Sequence, residues 1–485
     1  MEVWLNWDLK WLAILMYLFS ANVFAQEIEI DSSYPMSAEF QPLFDHDIFK
    51  SSDVGIHIVN LRTKEEVFGF QSDKGMVPAS VMKAITSAAA LRVLGSSFRF
   101  ETLVFIDGEI RDNVLHGDLY IKGGGDPSLE VHHLWKIVHD LKVQGIGRVT
   151  GNVYYDNSLF GADKHISGWN KSLDIANGPA YFPKTSSLSV NYNCLAIRVR
   201  AGKKNKEKAS VFVEYPSSDI TIVNELKTVQ SYTRARISIS RSIQNDKMEF
   251  TVSGRIPVDQ ERTFYRALHS PSNYFMSQFA EVLQQNGVII NGKHKLQEVP
   301  SDKNVFYRHR SASLGTLIKT MNKSSQNLFA ESIFLMMGVQ QQSPPEEIVR
   351  DYLVDLGANA EDLVIVNGSG LSRDISLPPS VVSLVLSDMY GSKYVQAEYL
   401  GSLSIAGIDG TLRKRFSEED AAGKMRGKTG SLNWVFCVGG LVFGQDGDTY
   451  SVVIFMNDLK TSSVHARTLQ DSFLEKLIRT STIDK

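Results

Sequence analysis

The chain has 485 residues, of which 43% are hydrophobic and 22% are charged, values near the averages of soluble globular proteins. This composition excludes a disordered chain, a collagen-like protein and a polytopic membrane protein, and the length predicts two or more compact units. The formal net charge of −3 argues against a protein that binds nucleic acid.

The N-terminus has features of a secretory leader. An apolar run, Trp11–Phe19, follows Lys10, and Val23 and Ala25 occupy the positions that a signal peptidase reads. We predict a signal peptide over residues 1–25, removed after Ala25, which leaves no stable membrane anchor. Two acidic residues before the run are untypical of a leader, so an uncleaved anchor or a buried first helix stays open as an alternative.

Neither a metal site nor a cofactor is predicted. The sequence has no HExxH motif and no spaced Cys/His set, and His132 and His133 are adjacent, which does not suit ordinary metal-ligand geometry. The two cysteines, Cys194 and Cys437, lie far apart and outside any CxxC motif. We interpret both as buried thiols, although they could pair in an oxidising compartment.

The first predicted elements are a β-hairpin and a buried helix. Gly55–Leu61 alternates and is rich in Ile and Val, and Val67–Phe70 follows after a turn. Ser80–Leu94 is an unbroken helix-forming stretch that is apolar on nearly all sides, which predicts a helix inside the protein. Residues 97–262 consist of short β-rich segments separated by Gly, Asn and Asp, which predicts a mostly β insertion.

Helical patterns return after the insertion, and two strands and a helix end the chain. The predicted helices are Tyr274–Gln285, Leu314–Met321, Leu328–Met337 and Val381–Met389. Leu432–Phe443 and Thr449–Asn457 are predicted to form a hairpin, and apolar residues between Leu469 and Ile478 mark one face of a final helix. Strands near both ends of the chain predict one antiparallel sheet built from the two termini.

Ser80 and Lys83 form the first candidate catalytic motif, SxxK. Their spacing places a hydroxyl and an amine on one face of a helix, at an N-terminus whose backbone N–H groups stabilise an oxyanion. Apolar neighbours can desolvate Lys83 enough for it to act as a base toward Ser80. The motif is weak alone, because a serine at a helix start is usually only a cap.

Ser325 and Asn327 form a second motif, SxN, in a break between two helical patterns. Ser325 can relay a proton between Lys83 and a leaving amine, while Asn327 can orient Lys83 and hydrogen-bond a substrate amide. The structural alternative is a polar loop that starts a helix.

Lys428, Thr429 and Gly430 form a third motif, KTG, at the mouth of the predicted C-terminal hairpin. Lys428 supplies a cation for a terminal carboxylate, Thr429 adds a donor, and Gly430 lets a substrate backbone approach the strand edge. A basic β-turn is the structural alternative.

Two glycine-rich stretches are assigned no function of their own. Gly123–Gly125 lacks the context of a phosphate-binding loop and is predicted to be a tight turn. Gly368–Gly370 lacks the full GxSxG pattern and is predicted to be a loop near the site.

SxxK, SxN and KTG, in this order, are shared by penicillin-binding proteins and serine β-lactamases. The chain resembles the class C low-molecular-mass penicillin-binding proteins of penicillin-binding protein 4 type, D-alanyl-D-alanine carboxypeptidase/endopeptidases with a large insertion between SxxK and SxN. Further stretches that resemble family blocks are Gly117–Pro127, Ser187–Asn193, Asn322–Glu331, Asn367–Arg373, Ala406–Leu412 and Lys428–Leu432. Gln326 and Asn367 stand where Asp is usual, and neither change removes a group that the mechanism requires.

The resemblance implies an α/β transpeptidase-like fold of the penicillin-binding and β-lactamase type. Its antiparallel sheet is expected from about residues 40–75 and 425–485, with helices on both faces. The expected catalytic domain is discontinuous, over residues 26–96 and 266–485, and the β-rich inserted region, residues 97–265, is expected to form two small domains.

The resemblance further implies a periplasmic enzyme that acts on peptidoglycan stem peptides and cross-links and is acylated by β-lactams. Ser80 attacks the carbonyl of the penultimate D-Ala, and the N–H groups of Ser80 and Ser431 hold the oxyanion. Three alternatives stay open: a β-lactamase of the same fold, a catalytically silent wall-binding protein, and an esterase that uses the same pair.

Overall fold

The structure is a computed structural model that describes residues 30–169, 178–245, 247–416 and 421–480, so the predicted signal peptide lies outside the described residues. The α-helices are α1 (Ser37–Phe40), α2 (Asp47–Ser51), α3 (Met82–Val93), α4 (Val131–Val143), α5 (Pro271–Gln285), α6 (Leu314–Ser324), α7 (Asn327–Gln341), α8 (Pro345–Asp355), α9 (Pro379–Gly391), α10 (Gln396–Ser402) and α11 (Ser463–Thr480). No helix in these ranges combines the length and the apolar character that a membrane span requires.

The strands of the described residues belong to four sheets. They are β1 (Asp53–Asn60), β2 (Glu66–Phe70), β3 (Glu101–Arg111), β4 (Val114–Lys122), β5 (Arg148–Val149), β6 (Val153–Asp156), β7 (Cys194–Arg200), β8 (Ser210–Val213), β9 (Ile220–Val229), β10 (Arg236–Gln244), β11 (Lys247–Pro257), β12 (Glu261–Ala267), β13 (Ile289–Ile290), β14 (His294–Leu296), β15 (Val305–Arg310), β16 (Ser404–Ile405), β17 (Met425–Leu432), β18 (Val435–Phe443) and β19 (Thr449–Asn457).

A six-stranded sheet joins the two ends of the chain, in the order β16-β17-β18-β19-β1-β2. All of its strand pairs are antiparallel, and β19 pairs with β1 from Asp53↔Asn457 to Asn60↔Tyr450. The sheet predicted from the two termini is therefore confirmed, as are the predicted hairpin β1–β2 and the bounds of β19.

Helices cover both faces of this sheet, which explains the continuous apolar run of β19. Val453 and Phe455 belong to the core formed with α3 and α9, while Val452, Ile454 and Met456 belong to the core formed with α11. Successive side chains of a strand point to opposite faces, so a strand buried on both faces has no polar alternation.

The segment before the sheet forms the short helices α1 and α2, which the sequence patterns did not predict. Its aromatic rings pack under the sheet against α11: Phe44 stacks on Phe49 at 4.1 Å between ring centroids, and Phe40 lies 5.1 Å from Phe473. This cluster fixes the C-terminal helix to the N-terminal segment.

The region between α3 and α6 contains the other three sheets. A seven-stranded sheet includes β3–β6 and β13–β15 and packs against α4 and α5, and two three-stranded sheets have the orders β10-β11-β9 and β12-β7-β8. The sequence predicted the β character of this region but missed α4, whose apolar face supplies Leu134, Ile137 and Leu141 to the core.

Strands β13–β15 lie after residue 265, the boundary that the sequence predicted for the insertion. They nevertheless pair with β3, β5 and β6, and β15 pairs with β3 along Val305–Arg310. Short strands of this kind are fixed by their partners rather than by their own sequence. The domain division stays a proposal, and this pairing favours a second boundary near residue 311.

The strand predicted over Leu432–Phe443 begins later than expected. The chain turns at Asn433 and Trp434, whose φ of 62° lies in the left-handed region, and β18 starts at Val435. Lys428, Thr429 and Gly430 lie within β17, before this turn. The prediction that they stand at the mouth of the C-terminal hairpin, β18–β19, is wrong.

Substitution of Phe473 tests whether the two ends of the chain share one core. Phe473 is fully buried, so Phe473→Ala should lower the free energy of unfolding by about 3–5 kcal/mol. Denaturant unfolding measures the change, with Val464→Ala on the same helix as the control, since Val464 is 63% exposed. Equal stability of both variants would contradict the packing described here.

Candidate active site

Ser80 lies in a tight turn at the start of the buried helix. The turn is a 3-10 segment, Ala79–Val81, and the α-helix begins at Met82, two residues later than predicted. Ala79 has a φ of 46°, in the left-handed region that L residues avoid. A strained residue beside a half-buried serine is typical of a functional position that the surrounding structure holds in place.

Two glycines pack closely against this turn. A Cβ atom on Gly370 would lie 1.9 Å from the carbonyl oxygen of Ala79, and one on Gly430 would lie 2.6 Å from the carbonyl oxygen of Pro78. Gly430 thus lets β17 pack against the turn that carries Ser80. Approach of a substrate backbone to Gly430 stays a prediction, and the structure adds this packing role to it.

Lys83 is fully buried one helical turn after Ser80. Its Nζ lies 2.8 Å from Oγ of Ser80 and donates a hydrogen bond to the carbonyl oxygen of Ser369 at 2.6 Å. Burial, reinforced by the cation of Lys428, lowers the pKa of Lys83 well below its ordinary value, and the charge of Glu331 opposes this shift. The predicted pairing of a serine with a desolvated lysine is present in this geometry.

The loop predicted near the site, Gly368–Gly370, holds Lys83 in place through Ser369. Glu331 is buried on α7 and accepts hydrogen bonds from the backbone N–H groups of Gly368, at 3.2 Å, and Ser369, at 2.8 Å. Burial raises the pKa of the Glu331 carboxyl, while these hydrogen bonds and Lys83 lower it. Glu331 was not among the predicted site residues. Its position as a carboxyl group within an apolar helical run could have indicated a buried, hydrogen-bonded role.

Ser325 and Asn327 lie at the junction of α6 and α7. Ser325 ends α6 in the left-handed region, with a φ of 54°, and its Oγ accepts a hydrogen bond from Nζ of Lys428 at 3.0 Å. The Asn327 side chain donates a hydrogen bond to the backbone carbonyl of Tyr181 at 2.8 Å. The sequence predicted instead that this side chain orients Lys83. The carbonyl of Ser369 makes the contact that Asn327 was expected to make.

Lys428 is the second fully buried lysine of the site. Its Nζ donates to the backbone carbonyl of Thr429 at 2.7 Å in addition to Ser325, and burial lowers its pKa to about 7. The Thr429 hydroxyl donates to Oγ1 of Thr411 at 2.8 Å. A cation and a hydroxyl donor thus lie side by side on β17, as anion recognition requires.

One cleft, in two halves, is lined by six of the eight predicted site residues, and the two lysines, Lys83 and Lys428, are buried behind its wall. Ser80, Ser325 and Ser431 line both halves, which have volumes of about 1000 and 1080 Å³. Thr429 and Gly430 line the first half, and Asn327 and Tyr181 line the second. Tyr181 lies between β6 and β7, so the inserted region contributes to the site, which the sequence did not predict.

Within the described ranges, no group of three His, Cys, Asp or Glu side chains is arranged to hold a metal ion. Cys194 and Cys437 are free thiols there, the first partly and the second fully buried.

Gly430→Ala tests whether packing of β17 positions Ser80. The new methyl group would meet the carbonyl of Pro78 and displace the turn. Because a misplacement of 1 Å can lower a reaction rate about a hundredfold, labelling of Ser80 by a fluorophosphonate should slow by about ten- to a hundredfold. Mass spectrometry follows the labelling, with Gly401→Ala as the control, since no atom lies within 4 Å of a Cβ there. A folded Gly430→Ala protein that labels at the original rate would contradict this role.

Solved structures with the same fold include penicillin binding protein 4 of Haemophilus influenzae. It superposes with a TM-score of 0.78 at 23% identity, over 89% of this chain and 99% of that one, and its complex with a β-lactam superposes with a TM-score of 0.71. A predatory peptidoglycan endopeptidase of Bdellovibrio bacteriovorus superposes with a TM-score of 0.51 at 14% identity, over 89% and 93% of the two chains. These likenesses confirm the predicted penicillin-binding fold.

Sequence relatives extend over most of the chain. It is 25% identical to the D-alanyl-D-alanine carboxypeptidase DacB of Haemophilus influenzae, over 86% of this chain and 88% of the relative. It is 27% identical to a D-alanyl-D-alanine carboxypeptidase of an Actinomadura species, over 82% and 77%. Residues 41–477 match the D-Ala-D-Ala carboxypeptidase 3 (S13) family, and the chain is a member of that family.

Proposed function

We propose that the protein is a serine DD-peptidase, which removes the terminal D-Ala of peptidoglycan stem peptides and cleaves D-Ala cross-links. The observation that carries this proposal is the 2.8 Å contact between the Ser80 hydroxyl and the buried amine of Lys83. Burial lowers the pKa of Lys83 and so favours its uncharged amine, the form that can accept the proton of Ser80.

The first step forms an acyl-enzyme. Lys83 takes the proton of Ser80, whose Oγ attacks the carbonyl carbon of the penultimate D-Ala, and the backbone N–H groups of Ser80 and Ser431 stabilise the oxyanion. Ser431 follows Gly430 on β17 and lines the cleft with Ser80, which supports this assignment. Loss of one such donor typically costs about a hundred- to a thousandfold in rate.

The second step releases the leaving amine and the acyl group. Lys83 returns the proton through Ser325, whose hydroxyl already forms a hydrogen bond with Lys428, and the scissile C–N bond breaks. Water, deprotonated by the same base, then attacks the ester of Ser80. Free D-Ala and the side-chain amine of a cross-linking residue leave by the same route, so one site performs both reactions.

Recognition of the substrate uses the groups that flank the pair. Lys428 and Thr429 bind the carboxylate next to the scissile bond, and the amide oxygen of Asn327, whose Nδ2 donates to the Tyr181 carbonyl, accepts a hydrogen bond from a substrate amide. A β-lactam presents a carboxylate and a strained amide to the same groups and acylates Ser80. The carboxypeptidase names of the two relatives and the β-lactam complex of the H. influenzae protein support this assignment.

The proposed place of action is the periplasm. The apolar run behind Lys10 and the small residue Ala25 support export by a leader that is then removed. The cross-linked peptides that the proposed activity requires are found outside the cytoplasmic membrane.

Penicillin labelling of wild-type protein and of Ser80→Ala tests the proposed function. Wild-type protein should form a covalent adduct with a fluorescent penicillin and release D-Ala from a pentapeptide, and Ser80→Ala should lose both by more than about a thousandfold, because the nucleophile is gone. Ser97→Ala serves as the control, since Ser97 is an exposed serine that lines neither half of the cleft. An adduct that persists in Ser80→Ala, or a wild-type protein that neither labels nor releases D-Ala, would refute the proposal.

A further inference from the structure

The half of the cleft that Thr429 lines is strongly basic. We call it the basic half, and its charged lining residues are Lys323, Arg413, Lys414, Arg415, Arg467 and Asp471. Five cations thus line one cavity of about 1000 Å³ with a single carboxylate among the described lining residues. Such an excess of one sign in a cleft concentrates ligands of the opposite sign.

Two of these cations are neutralised locally. Lys323 forms an ion pair with Asp409, and Nε of Arg415 donates to Oδ1 of Asp471 at 2.8 Å. These pairs fix the wall of the cavity and leave little charge for a ligand.

The other three cations, Arg413, Lys414 and Arg467, are exposed and have no carboxylate partner among the described residues. The guanidinium of Arg467 lies over the ring of Phe436 at 5.4 Å from its centroid, which holds this cation at the wall of the cleft.

The position of the basic half relative to Ser80 decides what it can bind. Under the proposed function, Lys428 and Thr429 bind the carboxylate next to the scissile bond, which belongs to the leaving group. Thr429, Arg413 and Lys414 line the basic half alone, Asn327 and Tyr181 line the other half alone, and Arg467 lines both. The basic half therefore extends from Ser80 in the direction of the leaving group.

We propose that Arg413, Lys414 and Arg467 form a binding subsite for carboxylates of a peptidyl leaving group. Free D-Ala has one carboxylate, which Lys428 and Thr429 bind, and it leaves these three cations unused. The strand released from a cross-link keeps further carboxyl groups of its own, and these fit the basic half. The inference rests on the proposed DD-peptidase function and makes the protein selective for cross-linked substrates.

The test compares two synthetic cross-linked peptides that differ only in the leaving strand. In one, all carboxyl groups of that strand are free; in the other, all are amidated except the one next to the scissile bond. Since each exposed ion pair contributes up to about fivefold, wild-type protein should cleave the free-carboxyl peptide with a kcat/KM about tenfold higher. The ratio of the two kcat/KM values, free-carboxyl over amidated peptide, should fall as the salt concentration is raised from about 0.05 to 0.5 M, because salt screens exposed charges.

Charge-neutralising variants assign the effect to the subsite. In Arg413→Gln/Lys414→Gln the ratio should fall to about two and in Arg467→Gln to about five, whereas Arg467→Lys should keep most of it. The matched control, Lys64→Gln/Lys393→Gln, removes two exposed cations that line a different cavity and should leave the ratio near ten.

The outcomes separate this inference from the proposed function. A wild-type ratio near one, together with intact release of D-Ala from a pentapeptide, would refute the subsite but not the DD-peptidase function. Neutralisation of the three cations by the acidic residues 418–420, which lie outside the described ranges, would give this result. A ratio that the subsite variants leave unchanged would also overturn it. Failure to cleave any of the three peptides would refute the proposed function, and the subsite with it.

Discussion

The burial of Lys83 and Lys428 is the constraint on which the rest of the site depends. Removing an ammonium group from water costs free energy, so burial lowers the pKa of each lysine, and the nearby charge of Lys428 lowers the pKa of Lys83 further. Packing thus favours the uncharged amine of Lys83 beside Ser80. The fold satisfies both amines with hydrogen bonds, to Ser80 and Ser369 for Lys83 and to Ser325 and Thr429 for Lys428.

The architecture explains how distant parts of the sequence meet at these lysines. The sheet formed by both termini places β17 against the turn before α3, and Gly370 and Gly430 allow contacts with that turn that no side chain would permit. Glu331 fixes the loop that holds Lys83, and Tyr181 extends the cleft from the inserted region. The strain at Ala79 is held by this enclosure, since a left-handed alanine is unstable in an open turn.

Much of this arrangement was predictable from the sequence, because hydrophobic periodicity indicates which residues are buried and motifs indicate which residues carry catalytic groups. The terminal sheet, the buried helix and the three motifs follow from such signals. The short strands β13–β15 were missed because their pairing partners, rather than their own residues, fix them. Helix α4 was missed because it lies between β-rich segments of the sequence. The roles of Ser369, Glu331 and Gly430 depend on contacts across more than 30 residues, which local patterns do not contain.

The central claim is that Lys83 is an uncharged amine in the resting protein at neutral pH. Carbon NMR of protein labelled at the lysine ε-carbon, with the Lys83 signal assigned by its loss in Lys83→Arg, measures this directly. The account predicts a Lys83 signal at the position of a neutral amine at pH 7, while exposed lysines titrate near 10.4. A Lys83 signal that stays at the position of an ammonium ion up to pH 9 would contradict the account.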